Sequence, residues 1–426
     1  MFARMRWLIA FLLFLGGVIN YIDRSALSVA APLVAKDLGL KPGALGVVFS
    51  SFFFGYAIFS FVGGYAADRF GPRRVLTVSM TAWSIFCGLT AAAFNVTTLL
   101  IFRALFGAAE GPFPSNVNKT VGRWFPQRER ASALGVGNSG TPLGGALAGP
   151  IVGYIAVAFG WRISFVVVML LGLFWVVAWV VFSTDSPEQN RRVSKEELRE
   201  ILSQREAGAA PGTKRSLWQY LRNPAVLATT CGFFAYTYLL YFFLSWFPSY
   251  LTMVQHLSIQ RMGIVSAIPW LLGFLGFLAG GFICDWIFQK IGNVVLARKI
   301  VLVTGLSVAG ACAAMAGMVT GVVAAVTLMA VSIFFMYGAA HTYWALILEL
   351  VEPDKVGTVG GFAHFMANCS GVIAPIITGF LVQWTHAFTS AFILAGVISA
   401  MGALSVAVFV RSKTPSKGAS VPVLTH

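Results

Sequence analysis

Four charged residues lie in stretches otherwise suited to a membrane interior: Asp23 and Arg24 in "NYIDRSALSVAAP", and Arg103 and Glu110 in "RALFGAAEGPFP". A charge near the middle of a spanning helix costs on the order of 2.5–3.5 kcal/mol on insertion scales, so each needs a partner, water or a function. An arginine presents a planar fork suited to a carboxylate. A carboxyl group in a low-dielectric cavity can take up or release a proton near neutral pH. Together the four residues are the parts of a site that holds an organic anion and a proton. Arg103 and Glu110 are seven apart, on one helix face and about 10 Å apart along the axis, so that face must line a cavity. Asp23 and Arg24 diverge by about 100° and cannot serve one spot, whereas Asn20 and Arg24 share a face. A purely structural alternative is a set of static salt bridges between the first and fourth spans. Buried ion pairs add little net stability, which favours function.

Helices must position these groups. The chain of 426 residues is 58% hydrophobic and 11% charged, and its mean hydropathy is +0.80. That composition excludes a soluble globular domain. Apolar runs reach the roughly 20 residues a spanning helix needs and lack the alternation of barrel strands. The expected fold is an all-α polytopic membrane protein with about twelve spans, near 7–36, 44–68, 73–94, 96–121, 129–157, 161–183, 224–253, 262–288, 299–317, 321–349, 356–383 and 388–410. The division is an N-terminal six-helix bundle (1–183), a polar linker (184–223), a C-terminal six-helix bundle (224–411) and a tail (412–426). In the linker, Ser194 three residues before Glu197 predicts a capping box on a short surface helix.

Basic residues set the orientation. Of 30 Lys and Arg, 24 fall at the termini, after even-numbered spans or in the linker, four (Lys36, Lys41, Arg162, Arg261) fall in the other loops and two (Arg24, Arg103) lie inside spans. The positive-inside rule places both termini and the linker in the cytoplasm, with the chain in the cytoplasmic (inner) membrane. The net charge of +15 then reflects topology and contact with anionic lipids, and no basic face interleaved with aromatics suits nucleic acid. The five cysteines are isolated within spans and no Cys/His cluster suits a metal. No HExxH, P-loop or dinucleotide fingerprint is present, so neither an enzyme nor a cofactor is expected.

An internal repeat supports two halves: "GGYAAD" (63–68) at the end of the second span returns as "GGFICD" (280–285) at the end of the eighth. Such repeats build transporters with a site between the halves. The loop "GGYAADRFGPRRVL" resembles the signature of the major facilitator superfamily, carried by Gly64, Asp68, Arg69, Gly71, Arg73 and Arg74. "NYIDRSALSVAAP", "RALFGAAEGPFPSNVNKTVGRWFPQRERASALG", "FFLSWFPSYL" and "GGFAHFMANCSGVIAPIITG" resemble its anion:cation symporter branch, over nearly the whole chain.

The resemblance implies two pseudo-symmetric six-helix bundles working by alternating access as a proton symporter. It assigns proton coupling to Asp23 and Glu110, substrate binding or gating to Arg24 and Arg103, and a conformational role to the signature loop. Tyr56 matches a family tyrosine at the substrate. Asn138, Ser139 and Thr141 lie where glycines open the fifth span, and His364, Asn368 and Trp344 are further candidates for the cavity. Sugar-acid members commonly carry Gln where Thr141 stands and Asn where His364 stands. His341 is read as a core residue. The signature loop has its own physical reading: Gly63 and Gly64 permit close helix approach, and Asp68 is placed to cap a helix or pair with a cation.

The expected substrate is a sugar acid of the galactonate, glucarate or hexuronate type, or another carboxylate including aromatic acids, which "YTYLLYFFLSWF" and Trp344 would suit. The expected partners are that anion, protons and membrane lipids, and the chain is expected to work as a monomer. Two other readings remain. "GALAGPIVG" (145–153) resembles the fifth-span motif of proton-driven drug antiporters, although two intramembrane arginines do not suit a cationic drug. A transporter-like receptor would bind without exchanging.

Overall fold

The computed structural model describes residues 4–203, 219–220, 222–352 and 355–411. Among them the regular elements are helices, with no strand, as lipid requires of a backbone that must satisfy itself. Twelve spans are long and apolar enough to cross a membrane. The first half comprises α1 (Met5–Leu38), α2 (Pro42–Phe70), α3 (Pro72–Leu89), α4 (Val96–Glu110), α5 (Phe113–Trp124), α6 (Arg130–Phe159) and α7 (Trp161–Phe182). A short helix, α8 (Lys195–Ser203), follows. The second half comprises α9 (Pro224–Met253), α10 (Ile259–Ile291), α11 (Val294–Ala316), α12 (Val322–Gly338), α13 (Thr342–Leu350), α14 (Val356–Thr385) and α15 (Thr389–Phe409). The remainder of the linker from 204 to 218 and the tail 412–426 lie outside the described residues.

Two spans expected to be continuous are broken. The fourth is α4 plus α5, interrupted at Gly111-Pro112 directly after Glu110. Pro112 has no N–H to extend the ladder of α4, and it serves instead in the first turn of the next helix. The tenth is α12 plus α13, interrupted at Ala339-Ala340-His341. Interrupted spans at corresponding positions of two halves point to a binding site between them.

The predicted capping box of α8 is half-formed. Glu197 N–H donates to Ser194 Oγ at 3.1 Å, but the Glu197 carboxylate turns away to cap α1 instead. It accepts from Met5 N at 3.0 Å and Arg6 N at 2.9 Å, satisfying two of the orphan donors at that helix's start. Arg6 is fully buried and pairs with Glu129 and Glu200, while Arg4 and Arg128 also reach Glu200. The linker helix is thus fastened to the N-terminal ends of α1 and α6.

The signature loop makes local ties. Gly71 has φ +83°, and α3 is capped not by Asp68 but by Asp185, whose Oδ1 accepts from Arg73 N at 3.0 Å. Asp68 pairs with Lys119 of α5. Gly63 packs on Pro112, whereas Gly64 faces open space, so only the first glycine of the pair serves a close approach. Arg69 and Arg74 are exposed.

Contact between the halves runs through α2 with α14, α6 with α10 and α1 with α9. The close approaches cluster at one end of the bundle, where odd-numbered spans finish. Gly43 N donates to Gln383 Oε1 at 3.0 Å and Ser50 Oγ to Val372 O at 2.7 Å. Gly149 of α6 and Gly263 of α10 meet backbone to backbone, and a Cβ on Gly46 would stand 2.5 Å from Pro375 O.

Candidate functional site

Two of the four membrane charges pair between the first and fourth spans. Glu110 is held across helices by Arg24: Arg24 Nε donates to Glu110 Oε1 at 3.0 Å, and Nη2 donates to the same oxygen. The ion-pair partner of Glu110 is thus on α1, brought there by packing, and is not the Arg103 that shares its helix face. Arg24 and Glu110 are 7% and 0% exposed. The guanidinium carbon of Arg24 lies 4.8 Å from the ring centre of Tyr56, 5.0 Å from Phe52 and 5.2 Å from Tyr21. Aromatic faces hold this cation out of water while attracting it.

Arg103 is 2% exposed and makes no ion pair among the described residues. Its guanidinium carbon lies 4.8 Å from the Phe106 ring centre and 5.1 Å from that of Phe52. Its Nε and Nη1 are buried without a hydrogen-bond partner. A buried cation with unused donors is costly. Beside it is a cavity of about 10 Å³ that Arg24 also lines, with Ser28, Phe49, Phe53, Leu244 and Ser245, a volume near that of one water site. An unpaired arginine fork at a cavity shared with a second arginine is an anion-binding arrangement.

Asp23 faces the other way, as the 100° divergence requires. Its Oδ2 accepts from Trp83 Nε1 of α3 at 2.9 Å, and its Oδ1 is buried without a partner. It therefore lies in the same charged layer but not on an arginine.

The second half contributes neutral polar groups. Tyr241 of α9 stands 4.2 Å ring to ring from Phe53 and donates its hydroxyl to Asn368 Oδ1 at 2.8 Å. Asn368 Nδ2 donates to His364 O at 2.8 Å. His364 lies between Trp344 and Phe233, with ring centres 6.1 and 6.0 Å away. Trp344, Asn368 and His364 thus form one group leading to the cavity through Tyr241. Asn138 is exposed, and Thr141 Oγ1 donates back to Asn138 O at 2.9 Å, so neither touches the arginines' cavity. His341 packs on Phe277, 4.2 Å between ring centres, as a core residue.

Trp83, Phe52, Ser28, Tyr241 and Ser245 were not singled out from sequence. Phe52 carried a signal, standing four residues before Tyr56 on the same helix face. Tyr241 and Ser245 sat within the aromatic run of α9 without one.

The sequence model of the Major Facilitator Superfamily matches residues 13–363. The chain is 48% identical over 413 residues to a hexuronate transporter of Bacillus subtilis (strain 168), covering 96% of each. It is 31% identical over 414 residues to a probable galactarate/D-glucarate transporter of Escherichia coli (strain K12), covering 93% of this chain and 92% of that one. In fold it is similar to a bacterial homologue of the human lysosomal transporter Spinster in an inward-facing, occupied conformation. That similarity has a TM-score of 0.78 at 16% identity and covers 96% of this chain and 99% of the other.

Proposed function

This chain belongs to the Major Facilitator Superfamily and is a multi-pass membrane transporter rather than an enzyme, and on that premise we propose that it takes up a sugar-acid anion together with a proton. The observation that carries the reading is Arg103, buried with unpartnered donors and no ion pair among the described residues, beside a cavity it shares with Arg24. The relatives' names agree in kind, one referring to hexuronates and the other to galactarate and D-glucarate. Trp344 stands beside His364 and not on the cavity, whereas Phe49 and Phe53 line it, so a carboxylate panel must separate sugar acids from aromatic acids.

In the proposed cycle, the substrate carboxylate enters the cavity and engages Arg103 and Arg24 through bidentate hydrogen bonds. Arg24 is then shared, and Glu110, losing its cation in a low-dielectric site, takes a proton. Because anion and proton enter together, the net charge of the site is the same loaded and empty. Two units, 1–183 and 224–411, rock about it, with the linker 184–223 and both termini on the cytoplasmic side of the inner membrane, and the chain works as a monomer. The close approaches of the two halves that cluster at one end support such a cycle, because that end must part when the other closes.

The drug-antiporter reading rested on "GALAGPIVG". Gly145 and Gly149 there receive Trp270 and Gly263 of α10, a packing use that needs no drug.

A thermal-shift screen of the purified protein against a carboxylate panel tests the proposal. A sugar acid at 100 times its dissociation constant should stabilise by about 2.7 kcal/mol, and the shift should vanish in Arg103→Ala. Stabilisation by cationic drugs and by no carboxylate would contradict it.

A further inference from the structure

The charges inside the spans belong to one half. Asp23, Arg24, Arg103 and Glu110 lie on α1 and α4. Helices α9, α12, α14 and α15 carry no Lys, Arg, Asp or Glu, and His364 is the one side chain of α14 able to carry a positive charge. The charges of α10, α11 and α13 sit near their ends, at Arg261, Asp285, Lys290, Arg298, Lys299 and Glu349, and Arg298 is already paired with Glu349. Facing the two arginines, the second half therefore offers hydroxyls, an amide and an imidazole: Ser245 at the cavity, Tyr241 one turn before it on α9, then Asn368 and His364.

Counting hydrogen-bond partners at the site leaves one cation open. Arg24 is paired with Glu110 and Asp23 accepts from Trp83, whereas Arg103 keeps Nε and Nη1 buried without a partner. Both arginines converge on one small cavity, so they serve one anionic group rather than two separated ones.

We infer that the site selects sugar acids carrying a single carboxylate over dicarboxylates of the same length, the carboxylate resting on Arg103 and Arg24 and the hydroxylated end on the neutral polar groups of the second half. The inference rests on the proposed function and names its substrate class. A polyhydroxyl end finds donors and acceptors in Tyr241, Asn368 and His364. A second carboxylate there would leave water without meeting a cation, which a buried charge does not tolerate without loss of affinity.

D-Glucuronate and D-glucarate share a carbon skeleton and differ in whether C1 is an aldehyde, closed into a ring in water, or a second carboxylate; they provide the test, and a lysine variant separates charge from ring shape. In proteoliposomes at about pH 8, where a histidine of ordinary titration is neutral, glucuronate should compete in counterflow at a concentration at least tenfold lower than glucarate. Glucarate competing equally or better would overturn the inference while leaving anion transport standing. Exchange of no carboxylate at all would overturn both. A gain-of-function variant supplies the second arm. His364→Lys places a cation on the neutral face and should narrow the preference at least tenfold, with Asn368→Lys used if the first does not fold. An unchanged preference in a folded variant would locate selection elsewhere and overturn the inference.

Discussion

At the scale of single residues, the two arginines play different parts and their removal should differ accordingly. Arg103→Ala removes a cation that has no ion-pair partner, so the unliganded protein should melt no lower than wild type, while anion affinity falls 30-fold or more, the equivalent of about 2–5 kcal/mol for a desolvated charge-assisted pair. Arg24→Ala should also lose the anion, but it strands Glu110 in the interior and should destabilise by about 3–5 kcal/mol. Adding Glu110→Gln should recover stability without recovering binding. Thermal melts and calorimetric titration of the three variants check this; a stable Arg24→Ala protein would contradict the pairing. Lysine at either position should not rescue, because it lacks the fork. Sequence reading singled out all four charges and the divergence of Asp23 from Arg24. The Arg24–Glu110 pair could not be read from spacing, which relates residues on one helix, whereas this pair closes between α1 and α4. Trp83 as the partner of Asp23 was illegible for the same reason: the chain has 12 tryptophans and nothing local marks this one.

Among elements, α8 is the test case. Its Glu197 caps α1 across the chain, and Glu197→Ala should cost about 0.5–2 kcal/mol, as loss of a helix N-cap does. Hydrogen exchange should rise in the first turn of α1 and throughout α8. The Arg6 hydrogen bond holds the Glu200 carboxyl below the usual carboxylate range. Because its folded value is depressed, the stabilisation is present above the unfolded value of about 4.3 and is lost as pH falls through the folded value. Protection of α8 should therefore be flat from neutral pH to about 5 and decline only in stronger acid; protection that falls between pH 7 and 6 would contradict the assignment. The existence and ends of the spans were legible from apolar runs, and "EGPFP" held a visible break, since glycine followed by proline interrupts a helix. The break in the tenth span was not legible, because "GAAHT" contains no proline and its hydropathy stays high. The destination of Glu197 was hidden because a capping box is a local signal and the carboxylate serves a helix almost 200 residues earlier.

For the whole molecule, the account concerns a conformational cycle and the ions that drive it. Asp68 is 78% exposed at its side chain, pairs with Lys119 and stands away from the arginine cavity. Asp68→Asn should slow net transport while substrate affinity changes less than about twofold, since it biases an equilibrium rather than a contact. Gly46→Val should prevent the close approach of α2 to Pro375 and depress turnover by opposing closure at that end. A large affinity loss at unchanged turnover in Asp68→Asn would contradict its placement. The two-half build was legible from the repeated "GGYAAD" and "GGFICD", but which end of the halves touches was not, because one sequence must encode every state of the cycle. The central claim is that substrate and proton meet through the Arg24–Glu110 pair. By linkage, substrate should bind more tightly as pH falls. Glu110→Gln mimics the protonated carboxyl, and the most direct measurement compares this variant with Asp23→Asn in proteoliposomes, by counterflow and by uptake driven by a pH gradient. The account predicts that Glu110→Gln exchanges sugar acid at near wild-type rates yet does not accumulate it. Accumulation against the substrate gradient by Glu110→Gln would contradict the claim, and its loss in Asp23→Asn alone would move the coupling site to Asp23.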